Sequence, residues 1–295
     1  MLKRIMRLMA ALLLTLTLAA CRQQSSNSSA DKGSTKITVV TSLKVYQEVA
    51  AAVLGRYGHA SAIIANPNVD PHDFAVTTDT AKRVADAQVV VTNGLGYDDW
   101  LDKLIDSANP KVQHVDVARN VLHRADGANE HVFYDPGMMP KLARKLAQQY
   151  GKLQPQHRAY FDAQAAAYIK SLRPLQQAIK HHQNSQQRLV ATSEPVFDYA
   201  LAACGYKITA EHFAKAIEDG TDPSPQDVAQ LRALIREHKL AFFVDNVQSD
   251  SPVVSQIVQL AEREHVKVVR VRETQPRGKD YLQWMLGNYA QLPTN

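Results

Sequence analysis

From Lys36 onward, short runs of β-branched and apolar residues alternate with longer segments whose apolar positions recur at helical spacing. The pattern predicts strands at 37–41, 62–65, 88–92 and 112–117. Helices are predicted between them at 44–54, where Val45, Val49, Ala52 and Val53 share one side, and at 78–87 and 98–107. Thr77 or Thr78 can cap the second of these. Strand and helix in steady alternation predict a parallel sheet covered on both faces.

The pattern changes after Asp135-Pro136. Residues 138–150 and 155–182 are rich in Ala, Gln, Lys and Leu, with Pro155 placed for a first helical turn and Pro174 as the only later interruption. A long helix between two βα-rich segments reads as a strut. Strand patterns then return at 188–192, 206–209, 240–245 and 266–271, with helices at 195–203, from Pro225 to about His238, 252–264 and 280–290. Ser224-Pro225-Gln226-Asp227 is a helix start, with Ser224 as cap. The expected architecture is α/β: an N-terminal lobe at 36–136, a helical linker at 137–183 and a C-terminal lobe at 184–295. A chain of 295 residues is long enough for two such lobes.

Residues 1–20 follow a different rule. A basic start is followed by an apolar run from Leu8 to Ala20, too short to favour spanning a bilayer and suited to a signal peptide. It ends in Leu18-Ala19-Ala20-Cys21, which resembles the lipobox of bacterial lipoproteins and makes Cys21 the expected site of lipidation. Residues 22–35 carry no large apolar side chain and read as a flexible tether. The formal charge is +5, but three of those charges, Lys3, Arg4 and Arg7, lie in the leader. What remains is too small to suggest a nucleic-acid partner. Cys204 is the one other cysteine. With Cys21 acylated no internal disulfide forms, and Cys204 reads as a small buried apolar residue.

In open α/β sheets ligands gather beyond the carboxyl ends of strands. That rule selects His72, in a loop framed by Pro67 and Pro71, His131 after the fourth strand, Glu194 directly after 188–192 and Glu273 just past 266–271. Two imidazoles and two carboxylates, two from each lobe, make a shell for one divalent metal, with bonds of roughly 2.0 to 2.2 Å to zinc and a net ligand charge that balances the ion. Asp245 and Asp280 are rivals for the place of Glu273. Other readings stand beside these: a histidine in a proline loop is often only solvated, His131 can cap the following turn, and a carboxylate such as Glu194 is favoured at a helix start. Asp70, Asp73, Asn93 and Tyr134 are candidates to orient the imidazoles. Trp100 and Trp284 read as core, and His181-His182 as a surface pair.

Four spaced motifs sharpen the picture. Asp70-Pro71-His72-Asp73-Phe74, Asn93-Gly94-Leu95-Gly96-Tyr97 with Asp99-Trp100-Leu101, Glu130-His131-Val132-Phe133-Tyr134-Asp135-Pro136 and Thr192-Ser193-Glu194-Pro195-Val196-Phe197 occur in that order. Together they resemble the metal-binding lipoproteins of bacterial ABC importers, which capture zinc or manganese outside the cell. The resemblance implies two lobes joined by one long helix, and metal ligands at His72, His131 and Glu194. Glu273 falls near the fourth ligand position, usually an aspartate, in a stretch shorter than in manganese-type relatives.

The resemblance also implies a monomeric lipoprotein anchored on the outer face of the cell membrane, handing Mn2+ or Zn2+ to an ABC permease. A glutamate in place of a third histidine, and the lack of a histidine-rich acidic loop, lean towards manganese, whereas zinc has the higher intrinsic affinity for almost any such site. Two alternatives are an adhesin-like surface lipoprotein with a structural metal and a metal-dependent hydrolase. The second is disfavoured because four protein ligands leave no open position for substrate.

Overall fold

The structure is a computed structural model and describes residues 36–69, 71–72 and 74–293. The leader, Cys21 and the tether, together with Asp70 and Asp73, lie outside the described residues. Two parallel four-stranded sheets organise the chain. The first contains β1 (Ile37–Leu43), β2 (Gly58–Ile64), β3 (Val89–Thr92) and β4 (Gln113–Asp116) in the order β2-β1-β3-β4. The second contains β5 (Leu189–Thr192), β6 (Lys207–Thr209), β7 (Leu240–Asn246) and β8 (Val268–Val271) in the order β6-β5-β7-β8. The order is the same in both, with the first strand of each sheet flanked on both sides, so each has a crevice at the carboxyl ends where the direction of winding reverses.

The β-branched runs are strands because both faces of each sheet are covered; all four residues of β3 are buried. Helices α1 (Lys44–Leu54), α2 (Thr78–Ala85) and α3 (Asp99–Ala108) connect the first sheet. Helix α1 buries Val45, Val49 and Val53 as its periodicity requires, and Thr77 caps α2 by accepting from the Thr80 amide. Strand β2 starts earlier than its apolar run, at Gly58, because β1 supplies a partner for each residue from Gly58 to Ala62.

Between the sheets lie α4 (Met138–Leu153), α5 (Arg158–Ser171) and α6 (Arg173–His181). The connector is therefore not one long helix: it breaks after Leu153, where Gln154 and a 3-10 turn at Pro155–His157 intervene, and again at Leu172, and Pro174 occupies the first turn of α6 where its missing N–H costs nothing. The second sheet carries α7 (Asp198–Ala203), α8 (Glu211–Glu218), α9 (Pro225–Arg236), α10 (Pro252–Arg263) and α11 (Tyr281–Tyr289). Ser224 caps α9. Helix α8 has no counterpart in the sequence reading. It starts without a capping side chain, from Ala210 in the left-handed region at φ 60°, so the usual start signal is missing.

One apolar core runs through both lobes, from β1, α1 and α4 to Val190, Phe197, Val244, Val271 and Trp284. Trp284 stacks on Phe133 and meets Tyr134 edge-on. Cys204 is buried within it, and burial pushes its thiol up to about 12. His182 departs from the expected surface pair: it is buried, with Nδ1 against the Pro293 carbonyl at 3.3 Å.

The segment after β8 is gripped by the opposite lobe. Tyr134 donates to the Arg272 carbonyl at 2.6 Å, Thr274 Oγ1 to the Pro67 carbonyl at 2.6 Å, and the Tyr281 amide to Glu48 Oε2 at 2.8 Å. Gln275 Nε2 donates to the other oxygen of Glu48.

Candidate metal centre

A cleft between the lobes is lined by His72, His131, Glu194, Glu218 and Glu273. His72 stands on the loop after β2. That loop is held by Trp100, whose Nε1 donates to the Pro71 carbonyl at 2.9 Å while its ring packs on Phe74. Trp100 is therefore only partly core and supports the site as well. The His72 imidazole, 38% exposed, meets the buried Tyr97 ring edge-on at 4.8 Å.

His131 is only 1% exposed. Asn129 Oδ1 accepts from its backbone N–H and lies against its Nδ1, both at 2.9 Å. Nδ1 thus carries a proton, which leaves Nε2, turned to the cleft, as the ring atom able to coordinate an ion. Asn129 also reaches the other lobe, donating from Nδ2 to the Pro195 carbonyl at 2.6 Å, and its own carbonyl accepts from Tyr199 at 2.7 Å. One asparagine thus ties the His131 loop to the residue beside Glu194. Replacing Asn129 by Ala frees the ring to turn, and we expect a loss of about 10- to 100-fold in divalent metal affinity with little change in melting temperature, measured by calorimetry and circular dichroism.

Glu273 lies between the two rings. Its Oε1 is 3.5 Å from His72 Nε2 and 3.6 Å from His131 Nε2, and that oxygen is buried without a hydrogen-bond partner. Such separations are long for hydrogen bonds. They put Glu273 within ion-pair reach of each ring, but among the described residues His72, His131, Glu194 and Glu273 do not form a group whose donor atoms all lie within 4.8 Å of one another. Burial alone would push the Glu273 carboxyl up, but the His131 and His72 imidazoles outweigh it and hold the group well below the usual range. His131 responds in the opposite sense: burial lowers its pKa, Glu273 and Glu218 raise it more, and the net shift is upward.

Glu194 stands at the carboxyl end of β5 with Oε2 accepting from Asn246 Nδ2, at the end of β7. It lines the same cleft but forms no ion pair with His72 or His131 among those described. The two rivals of Glu273 are engaged elsewhere. Asp245 alternates with Asn246 along β7 and faces Arg270 at 3.9 Å, while Asp280 caps α11 in a capping box with Gln283.

Asn93 and Tyr134 both support the site through backbone. Asn93 Nδ2 donates to the Glu130 carbonyl at 2.9 Å, and Tyr134 holds the carbonyl that precedes Glu273. The turn after Asn93 runs through Gly94, Leu95 and Gly96 at φ 83°, 61° and 94°, and a Cβ on Gly94 would strike the Asp116 carboxylate. Asp98 fixes this turn, accepting from the Asn93 and Gly94 amides at 2.6 and 3.0 Å.

Two carboxylates beside the imidazoles were missed in the sequence, and with His131 they form, among the described residues, the group of three whose donor atoms all lie within 4.8 Å of one another. Glu130 Oε1 lies 3.6 Å from His72 Nε2, and Glu218 Oε1 lies 3.4 Å from His131 Nδ1. Glu130 is adjacent to His131 inside a quoted motif, so a signal was there; Glu218 sits on the unrecognised α8.

The family model described as zinc-uptake complex component A periplasmic (ZnuA) matches residues 39–295. The manganese ABC transporter substrate-binding lipoprotein PsaA of Streptococcus pneumoniae is 25% identical over 268 residues, spanning 84% of this chain and 83% of its own. Two solved structures share the fold. FpvC of Pseudomonas aeruginosa in complex with Ni2+ superposes with a TM-score of 0.72 at 22% identity, covering 87% of this chain and 95% of that one. The periplasmic zinc-binding protein TroA of Treponema pallidum gives 0.70 at 19% identity, covering 87% and 98%.

Proposed function

Because the chain belongs to the periplasmic zinc-uptake component A family, a family of substrate-binding transport proteins and not of enzymes, we propose that it captures a divalent transition metal, Mn2+ or Zn2+, outside the cytoplasm and delivers it to an ABC permease. The observation that carries this reading is the buried, unpartnered Oε1 of Glu273 facing two imidazole Nε2 atoms. We assign His72, His131, Glu194 and Glu273 as ligands of the cargo ion. Neutral imidazoles with carboxylates leave no uncompensated charge buried once the ion is bound.

The same reading places the protein at the membrane surface, as a monomer held by lipid on Cys21, where each buried CH₂ of the acyl chains contributes about 0.8 kcal/mol. Relatives include proteins named manganese-binding lipoprotein and zinc-binding lipoprotein, which supports the anchor and both metals.

Calorimetry on metal-stripped protein tests the proposal. His72→Ala and Glu194→Gln should each weaken Mn2+ and Zn2+ binding by about 100-fold or more while the circular dichroism spectrum stays unchanged. Unaltered affinity for both metals in both variants would refute the site. Elemental analysis of protein purified from its own host without added metal identifies the ion carried in the cell.

A further inference from the structure

Resting on the cargo site assigned above, the geometry points to a residue that acts on it without touching the ion: we propose that Tyr97 is a positioning residue whose phenolic O–H donates to the Glu273 carboxylate and holds it between the two imidazoles. The glycine turn prepares this. Gly94, Leu95 and Gly96 all have positive φ, and the Tyr97 amide closes on the Gly94 carbonyl at 3.3 Å, so the next side chain turns into the interior and is fully buried. Its ring meets His72 edge-on at 4.8 Å and His131 edge-on at 6.0 Å. These are the same two rings that Glu273 Oε1 approaches.

Glu273 borders two spaces. One is the cleft that it shares with His72, His131 and Glu194. The other is a narrow cavity between the lobes, which it shares with Tyr97 and with none of the other three assigned ligands. The Tyr97 hydroxyl and Glu273 Oε1 are both buried without a hydrogen-bond partner among the described residues, and each supplies what the other lacks, a donor and an acceptor. Tyr46 and Tyr134, by contrast, already donate to Asn93 Oδ1 and to the Arg272 carbonyl. Burial, and after it the charge of Glu273, push the Tyr97 phenol well above its usual range, so it keeps the proton it donates. An ionised carboxylate has about four lone-pair sites, so a hydrogen bond from Tyr97 leaves room for an ion on the same group. Partners that orient a ligating group in this way carry about 10- to 100-fold of metal affinity.

Tyr97→Phe keeps the ring with its edge-on contacts and removes the hydroxyl alone. Metal-stripped protein is titrated with MnCl2 alone and with ZnSO4 alone. Affinity for each metal should fall by about 10- to 100-fold while the circular dichroism spectrum stays unchanged. The same substitution made in the Glu273→Ala background should change affinity by less than about twofold, because Tyr97 acts only through that carboxylate. Loading the parent with Zn2+ should also shift the ultraviolet absorption of tyrosine, and the part of that shift due to Tyr97 should vanish in Tyr97→Phe. Parental affinity in Tyr97→Phe, an equal loss in both backgrounds, or the same ultraviolet shift in parent and variant would each overturn the proposal. Glu273→Ala separates the two levels: if it binds both metals as the parent does, the site assignment itself fails, whereas a normal loss there with no effect of Tyr97→Phe removes only the positioning role.

Discussion

Glu273→Ala is expected to lower affinity for Mn2+ and Zn2+ by about 100- to 1,000-fold, the largest effect of any single change in the cleft. Truncating one partner of a buried charge pair costs about 2 to 5 kcal/mol of binding free energy, and 100- to 1,000-fold, about 3 to 4 kcal/mol, lies within that span. Glu273 stands closest to both rings at once, so its loss takes an anion from the ion and leaves the two imidazoles without the group that draws them together. The apo protein should melt within a few degrees of the parent, because the backbone around residue 273 is held independently: Gln248 Oε1 accepts from the Glu273 and Thr274 amides at 3.0 and 3.1 Å. Titration calorimetry with each metal, alongside thermal melts without metal, measures both halves of this expectation. A variant that kept parental affinity would remove Glu273 from the shell.

Asp98→Ala should be the most damaging change to the fold, by about 3 to 5 kcal/mol. It strips two buried backbone amides, those of Asn93 and Gly94, of their common acceptor and leaves a void at the carboxyl end of β3. Burial pushes the Asp98 carboxyl up to about 7, against the opposing hydrogen bonds from Ser42, Asn93 and Gly94. A carboxyl whose folded pKa lies above its unfolded value near 4 contributes stability that is fully present below about pH 4 and is lost as pH rises through about 7. The gap between parent and variant should therefore be wider at pH 4.5 than at pH 8, as read by urea unfolding at both. A gap that widened with rising pH would show that Asp98 is ionised throughout.

Much of the scaffold is legible in the sequence because burial on both faces of a parallel sheet leaves short runs free of charged residues, and Val89–Thr92 and Leu189–Thr192 are such runs. Start signals with a physical mechanism also carry over, as Ser224 with Pro225 and Thr77 show. Features set by partners far along the chain do not. Strand β2 extends to Gly58 only because β1 lies beside it, and α8 follows a left-handed alanine that no local rule anticipates. The same limit applies to the cleft. Residues just past strand ends are found by position, so His72, His131, Glu194 and Glu273 stand out. Asn129 acts on His131 through a loop geometry that composition does not encode, and Glu218 lies on a helix whose relation to His131 exists only after folding. Trp100 shows how one side chain can be half core and half support, a distinction that hydropathy alone cannot make.

Under the ligand assignment proposed above, the segment from Arg272 to Tyr281 couples a bound ion to the opposite lobe. The chain that carries Glu273 is anchored to the far side of the cleft by hydrogen bonds to Tyr134, Pro67 and Glu48. Lifting that backbone away requires these contacts to break together, a cost that would slow release of a bound ion. A partner that competed for Pro67 or Glu48 would loosen this strip without prising the lobes apart.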